Sequence, residues 1–174
     1  MDFSFVTLGV ADTSLSPIAA MARLAAALLC GGLIGVDREL HHRPAGLRTH
    51  MLVGLASSLF TILTFEIVDM TADGNNSLGV DPIRIVEALT AGVAFLAAGT
   101  IIVNKGDVRG LTTGASLWLA GAAGLATGMG LYWLAYLVTL AALCVLAVMQ
   151  AVKVATATLR DRLARRGRPE NEKR

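Results

Sequence analysis

Charge is what this chain of 174 residues has least of. Asp, Glu, Lys and Arg make up 16% of it, where a soluble domain of ordinary composition carries about 25%. Apolar residues fill the deficit at 55%, more than a soluble fold of this size hides from water. Intrinsic disorder is excluded by the same figure. Cysteine is nearly absent: Cys30 and Cys144 both sit inside apolar runs. They read as small packing residues, with neither a disulfide framework nor a CxxC metal site to build on. No excess of one sign exists either, since 15 Lys and Arg against 13 Asp and Glu leave +2, and a sum of that size gives no nucleic-acid signal. The first seventeen residues hold Asp2 and Asp12 but no Lys or Arg. A secretory signal opens with a basic region, so the first apolar run is expected to stay as a membrane anchor. The motifs of chemistry are missing too: there is no P-loop, no Gly-x-Ser-x-Gly and no HExxH. His41, His42 and His50 match no zinc spacing. Asp69, Asp73 and Asp81 lack the ordered spacing of a calcium loop and read as solvated loop acids. The chain reads as a non-enzyme without metal or cofactor.

What is present is five apolar runs. A helix needs roughly 20 mostly apolar residues to cross the hydrocarbon core. Spans are expected at Ile18–Val36, His50–Val68, Arg84–Val103, Thr112–Gly128 and Leu131–Ala151. The fourth is short and rich in small residues. The runs lack period-2 alternation, so a β-barrel is not expected. The fold class is all-α: a polytopic membrane protein of five transmembrane helices. The connections sort the charge. Residues 37–49 carry Arg38, Arg43 and Arg48, residues 104–111 carry Lys105 and Arg109, and the tail after Ala151 carries eight basic residues. The connection 69–83 carries none. By the positive-inside rule the N-terminus is outside and the tail cytoplasmic. The chain thus divides into an outer segment 1–17, a membrane domain 18–151 and a basic tail 152–174. In the tail Val152, Ala155, Leu159 and Leu163 follow helical spacing among arginines, which predicts a helix continuing from the fifth span and drawn to anionic lipid.

Three groups of residues stand out as candidate sites. The first is the motif at the expected cytoplasmic face: Asp37, Arg38, Glu39, Arg48 and Thr49, with Arg109, Thr112 and Thr113. Gly-Leu-x-Thr occurs twice, at 46–49 and 110–113. In each the threonine is expected to cap a helix, and Arg48 or Arg109 beside a helix N-terminus makes a site for an anion or an acidic partner group. The competing reading has both arginines on lipid phosphate or paired with Asp37, Glu39 and Asp107. The repeat also allows two helix hairpins of the same orientation. The second group is a charge layer near the outer face, Arg23, Glu66, Arg84 and Glu87, read as an ion-pair network fixing helix register or as a gate. The third is the small-residue stripes that let helices approach closely: Gly31 and Gly35 on the first span, Thr90, Ala94 and Ala98 on the third, and Ser116, Ala120, Gly124 and Gly128 on the fourth. Packing within one protomer and a dimer interface are both open, with the tightest contact expected at the fourth.

The ordered motifs Gly32-Leu33-Ile34-Gly35-Val36-Asp37-Arg38-Glu39, Arg43-Pro44-Ala45-Gly46-Leu47-Arg48-Thr49-His50, Asp81-Pro82-Ile83-Arg84-Ile85 and Val108-Arg109-Gly110-Leu111-Thr112-Thr113 resemble those of the MgtC/SapB family. The likeness covers roughly Arg23 to Met149. The family often has Glu at the position of Asp37 and Gly at those of Ala94 and Ala97, so looser packing is expected around the third helix. The resemblance implies a bacterial inner-membrane protein, of the shorter type without a soluble C-terminal domain, linked to Mg²⁺ limitation, acid stress or intracellular survival. It implies a regulatory or partner-binding role, with other membrane proteins or small membrane peptides as partners, the F-type ATP synthase among them, and a homo-oligomer such as a dimer. A small transporter or channel is the alternative.

Overall fold

The computed structural model describes residues 13–72, 81–104 and 107–166. Helix α1, Pro17–Leu40, starts where its sequence gives it both an acceptor and a proline: the Ser16 hydroxyl accepts from the Ala19 N–H at 3.3 Å, and Pro17 stands where no N–H is needed. Helix α2 is Leu47–Ala72. Helix α3, Pro82–Gly99, repeats the device of α1, with the Asp81 carboxylate accepting from the Ile83 N–H at 3.0 Å ahead of Pro82. A two-stranded antiparallel hairpin follows, β1 Ile102–Asn104 and β2 Asp107–Arg109, with Ile102 opposite Arg109. Helix α4 is Leu111–Gly128. Met129 and Gly130 turn the chain, Gly130 at φ 79°, into helix α5, Tyr132–Arg166.

The structure corrects one expectation here. The third span does not run to Val103. Its helix ends at Gly99, and the β-branched run Ile101-Ile102-Val103 leaves it for a strand, because such residues suit an extended backbone better than a helix. Among the described residues, three helices are by themselves long and apolar enough to cross a membrane: Pro17–Leu40, Leu47–Thr71 and Tyr132–Arg160.

Packing explains why α4 needs so little hydrophobicity. It touches each of the other four helices and holds a nearly continuous buried face from Thr113 to Gly128. The core clusters lie along it: Cys30 with Ala123, Ala126 and Ala135, and Ile34 with Ala120 and Ala142. Neighbouring contacts fix the directions. His50 lies beside Ser116 and Thr61 beside Gly128, so α2 and α4 run parallel. Gly31 lies beside His50 and Gly35 beside Leu47, so α1 and α2 are antiparallel. Ala97 lies beside Gly114 and Val93 beside Gly121, so α3 and α4 are antiparallel as well. The helices alternate in direction along the chain.

Small residues bring these backbones together. A Cβ on Gly31 would stand 2.5 Å from the His50 carbonyl oxygen, and one on Gly128 would stand 2.6 Å from Thr61 Cβ. A Cβ on Gly124 would overlap the backbone of Gly54. Buried hydroxyls in this core turn back on their own helices: Thr61 donates to the Ser57 carbonyl at 2.8 Å and Thr64 to that of Phe60 at 2.7 Å. By contrast α3 is loosely held. Cavities of about 170 and 190 Å³ separate it from α4, and one of about 250 Å³ separates it from α2.

Candidate functional site

Polar chemistry gathers at the two ends of the bundle. At one end α1 finishes with Asp37, Arg38 and Glu39. Arg38 is buried, and its Nε donates to Asp37 Oδ2 at 2.8 Å. The His41 Nδ1 is 2.7 Å from the Asp37 carbonyl and 3.5 Å from its carboxylate. Glu39 reaches across the turn, and its carboxylate accepts from the Leu47 N–H at 3.1 Å. A negative group there satisfies a free N–H and opposes the positive end of the helix dipole. Gly46 makes room for it, since a Cβ at that position would strike the carboxylate.

Thr49 and Thr113 are not caps. Both helices begin at the leucine of Gly-Leu-x-Thr, which puts the threonines inside the first turn. At α4 the cap is Gly110 itself, at φ 90°, with no side-chain bond to the helix. A side chain there would be strained by the backbone angle and would strike the Thr100 carbonyl. Thr112 is exposed and Thr113 buried. Arg48 and Thr49 are exposed on the first turn of α2. Arg109, also exposed, donates to Asp107 at 2.8 Å. Of the alternatives for Arg109, the pairing with Asp107 is the one present.

One pair at this end has little signal in the sequence. His50 is fully buried; its Nδ1 lies 2.8 Å from the Gly46 carbonyl and its Nε2 2.9 Å from Ser116 Oγ on α4. Ser116 stands in the small-residue stripe, but nothing in the sequence says that it faces a histidine 66 residues away.

At the opposite end the four charges of the expected layer separate. Arg23 donates from Nη1 to the Gly128 carbonyl at 2.7 Å, tying α1 to the end of α4. Glu66 accepts from the Ser14 and Leu15 N–H groups, both at 2.9 Å, and from the Ser14 hydroxyl at 3.1 Å. A polar cavity of about 240 Å³ lies between Arg23, Glu66 and Asp69. Arg84 and Glu87 are exposed on α3. Among the described residues no ion pair joins any two of the four. One acceptor and a set of donors take their place: a helix-end carbonyl accepts from the arginine, and the backbone N–H groups before α1 donate to the glutamate. Of the stripes, Gly31 and Gly35 face α2, and Ala120, Gly124 and Gly128 lie in the core of the same chain. No three His, Cys, Asp or Glu side chains converge as metal ligands among the described residues. Asp73 lies outside them.

Comparison with known proteins follows from this geometry. The model of the MgtC family matches residues 24–155, from the turn of Arg23 through the Asp37 motif and the hairpin into α5. The chain is 39% identical over 111 residues to the putative magnesium transporter YhiD of Escherichia coli K12, covering 63% of this chain and 51% of that protein. It is 41% identical over 110 residues to protein MgtC of Brucella abortus, covering 63% and 42%, and 36% identical over 113 residues to protein SapB of Bacillus subtilis, covering 64% and 48%. The chain thus spans about half the length of the curated relatives it matches. No solved structure matches. A matched region that reaches into all five helices settles the classification: the chain is a member of the MgtC family.

Proposed function

We propose that this chain is a regulatory, partner-binding module of the bacterial inner membrane, linked to magnesium, rather than a conduit. The observation that supports this most directly is the closure of the α1–α2–α4 core. Backbone meets backbone at Gly31, Gly124 and Gly128, which leaves no room for a hydrated ion between those helices. The magnesium link rests on the family and on the printed name of the Escherichia coli relative. All five helices cross, with the N-terminus outside and the Asp37 end cytoplasmic, where Arg48, and Arg109 by exchanging its solvent-exposed Asp107 contact, are offered to an acidic partner group. The test is gentle crosslinking in native membranes followed by identification of what co-purifies, with the F-type ATP synthase the first partner to look for. Arg48→Ala and Arg109→Ala are expected to insert normally, to lose the partner and to fail to complement a deletion strain. Full complementation by both would remove the cytoplasmic contact from this reading. The polar cavity by Arg23 and Glu66 favours a transport reading instead. Mg²⁺ flux into proteoliposomes carrying the purified protein would establish that reading and overturn ours.

A further inference from the structure

Helix α3 exposes large apolar residues, Ile83, Phe95 and Leu96, beside small ones and a pair of charges. The outward residues of α1, α2 and α5 are large and apolar: Leu29 and Leu33, Phe60 and Leu63, Leu140 and Val145 among them. That is what lipid chains solvate. On α3, Val93 and Ala97 point into the bundle. The opposite side carries Ala91, Ala98 and Gly99, with Phe95 standing 80% exposed among them. A Cβ at Gly99 would meet nothing within 4 Å. Toward the start of the same face stand Arg84 and Glu87, exposed and in no ion pair among the described residues.

Two physical facts bear on such a face. Charge on a helix face toward lipid is costly unless it turns to protein or water, and Arg84 and Glu87 stand in the first two turns of α3. Small residues beside a large one leave a hollow that another helix can fill closely. We infer that this face of α3 is covered by a second copy of the chain. Two copies in one membrane are related by a twofold axis along the membrane normal, so each residue meets the same patch of its partner. The face is complementary to itself under that operation. Arg84 and Glu87, one helical turn apart, meet the opposite charge on the partner helix. Phe95 enters the hollow left by Ala91, Ala98 and Gly99. A different membrane protein has no reason to match both the charge order and the knob. The loose seat of α3, with cavities on both flanks, is what a helix shows when its main partner is another chain. The inference is independent of the cytoplasmic partner reading, and neither stands or falls with the other.

The test uses the full chain in native membranes, in two differently tagged copies, with Cys144→Ala to remove the exposed thiol. Cys30 is fully buried and stays. Phe95→Cys is expected to give a disulfide dimer on mild oxidation, whereas Val148→Cys on α5 is not. Glu87→Arg alone and Arg84→Glu alone are expected to lose co-isolation of the two tags. The double exchange Arg84→Glu with Glu87→Arg is expected to regain it, which a merely misfolded single variant could not explain. The inference is overturned if Phe95→Cys gives no dimer, if it crosslinks only to a different protein, or if both single reversals co-isolate as the parent does.

Discussion

At the scale of single residues, neighbours on one helix have opposite tolerances. A Cβ on Gly31 would press on the His50 carbonyl at 2.5 Å, a backbone atom that cannot yield without moving α2. A Cβ on Gly32 would meet Met51 side-chain atoms at 3.6 Å, ordinary contact. Replacing glycine by alanine inside a helix gains about 0.5–1 kcal/mol of propensity. At Gly32 that gain stands alone. At Gly31 overpacking of about 1–3 kcal/mol opposes it and wins. Gly31→Ala is therefore expected to lower the thermal midpoint in detergent, and Gly32→Ala to leave it unchanged or raise it. Equal midpoints for the two variants would mean that α1 and α2 are not in backbone contact. The sequence marks Gly31 and Gly35 as a close-approach pair, but it does not say which helix approaches. The partners of the charged residues were still less legible. The sequence suggests an ion-pair layer for Arg23 and Glu66, and each finds a backbone group instead. Residue types announce that a charge needs a partner; the distant carbonyl or N–H that supplies it has no signature of its own.

At the scale of elements, helix starts carry most of the instruction. Serine or aspartate followed by proline begins α1 and α3, a local signal readable without the fold. The start of α2 is different, because its acceptor comes from the end of the preceding helix. Glu39 is exposed on α1, yet its carboxylate bonds the first N–H of α2. Capping contributes about 0.5–2 kcal/mol where it has been measured. Glu39→Ala is expected to destabilise the chain by about 1 kcal/mol, and to raise hydrogen exchange at the first turn of α2 more than elsewhere. Glu39→Gln keeps an acceptor oxygen and is expected to lose only the charge contribution, under about 1 kcal/mol. Equal exchange in parent and Glu39→Ala would dismiss the cap. The same scale explains the error at α3. Apolar content continues from Ala97 to Val103 with Thr100 as its one polar residue, and hydropathy does not distinguish a helix from a short strand. The change at Gly99 and Thr100, followed by β-branched residues, is the signal that length alone overrode.

At the scale of the whole molecule, the open question is how many helices cross, and the packing and the composition answer it differently. Composition admits α1, α2 and α5. A three-crossing chain would fold α3 and α4 back as a re-entrant pair, leaving both termini where a five-crossing chain leaves them. The ends therefore do not distinguish the two. The hairpin does. At 1.5 Å per residue, the 18 residues of α4 rise about 27 Å, close to the roughly 30 Å of hydrocarbon. Because α4 touches each of the other helices, it need not be apolar enough to face lipid. Its start lies beside the Asp37 end of the bundle and its end beside Arg23, the full depth that α1 and α2 cover. The hairpin 102–109 then emerges on the same side as Arg48. Among the described residues, the basic ones other than Arg23 and Arg84 fall on that side, the distribution expected of a cytoplasmic face. In the Cys144→Ala background, Asp107→Cys is expected to react with a membrane-impermeant thiol reagent only when the cytoplasmic side is opened, as Arg160→Cys does. Ser14→Cys is expected to react from outside in intact cells. If Asp107→Cys is shielded from both sides while Arg160→Cys is labelled, α3 and α4 form a re-entrant pair. Labelling of Asp107→Cys from outside would reverse the orientation of that hairpin and sink the five-crossing arrangement.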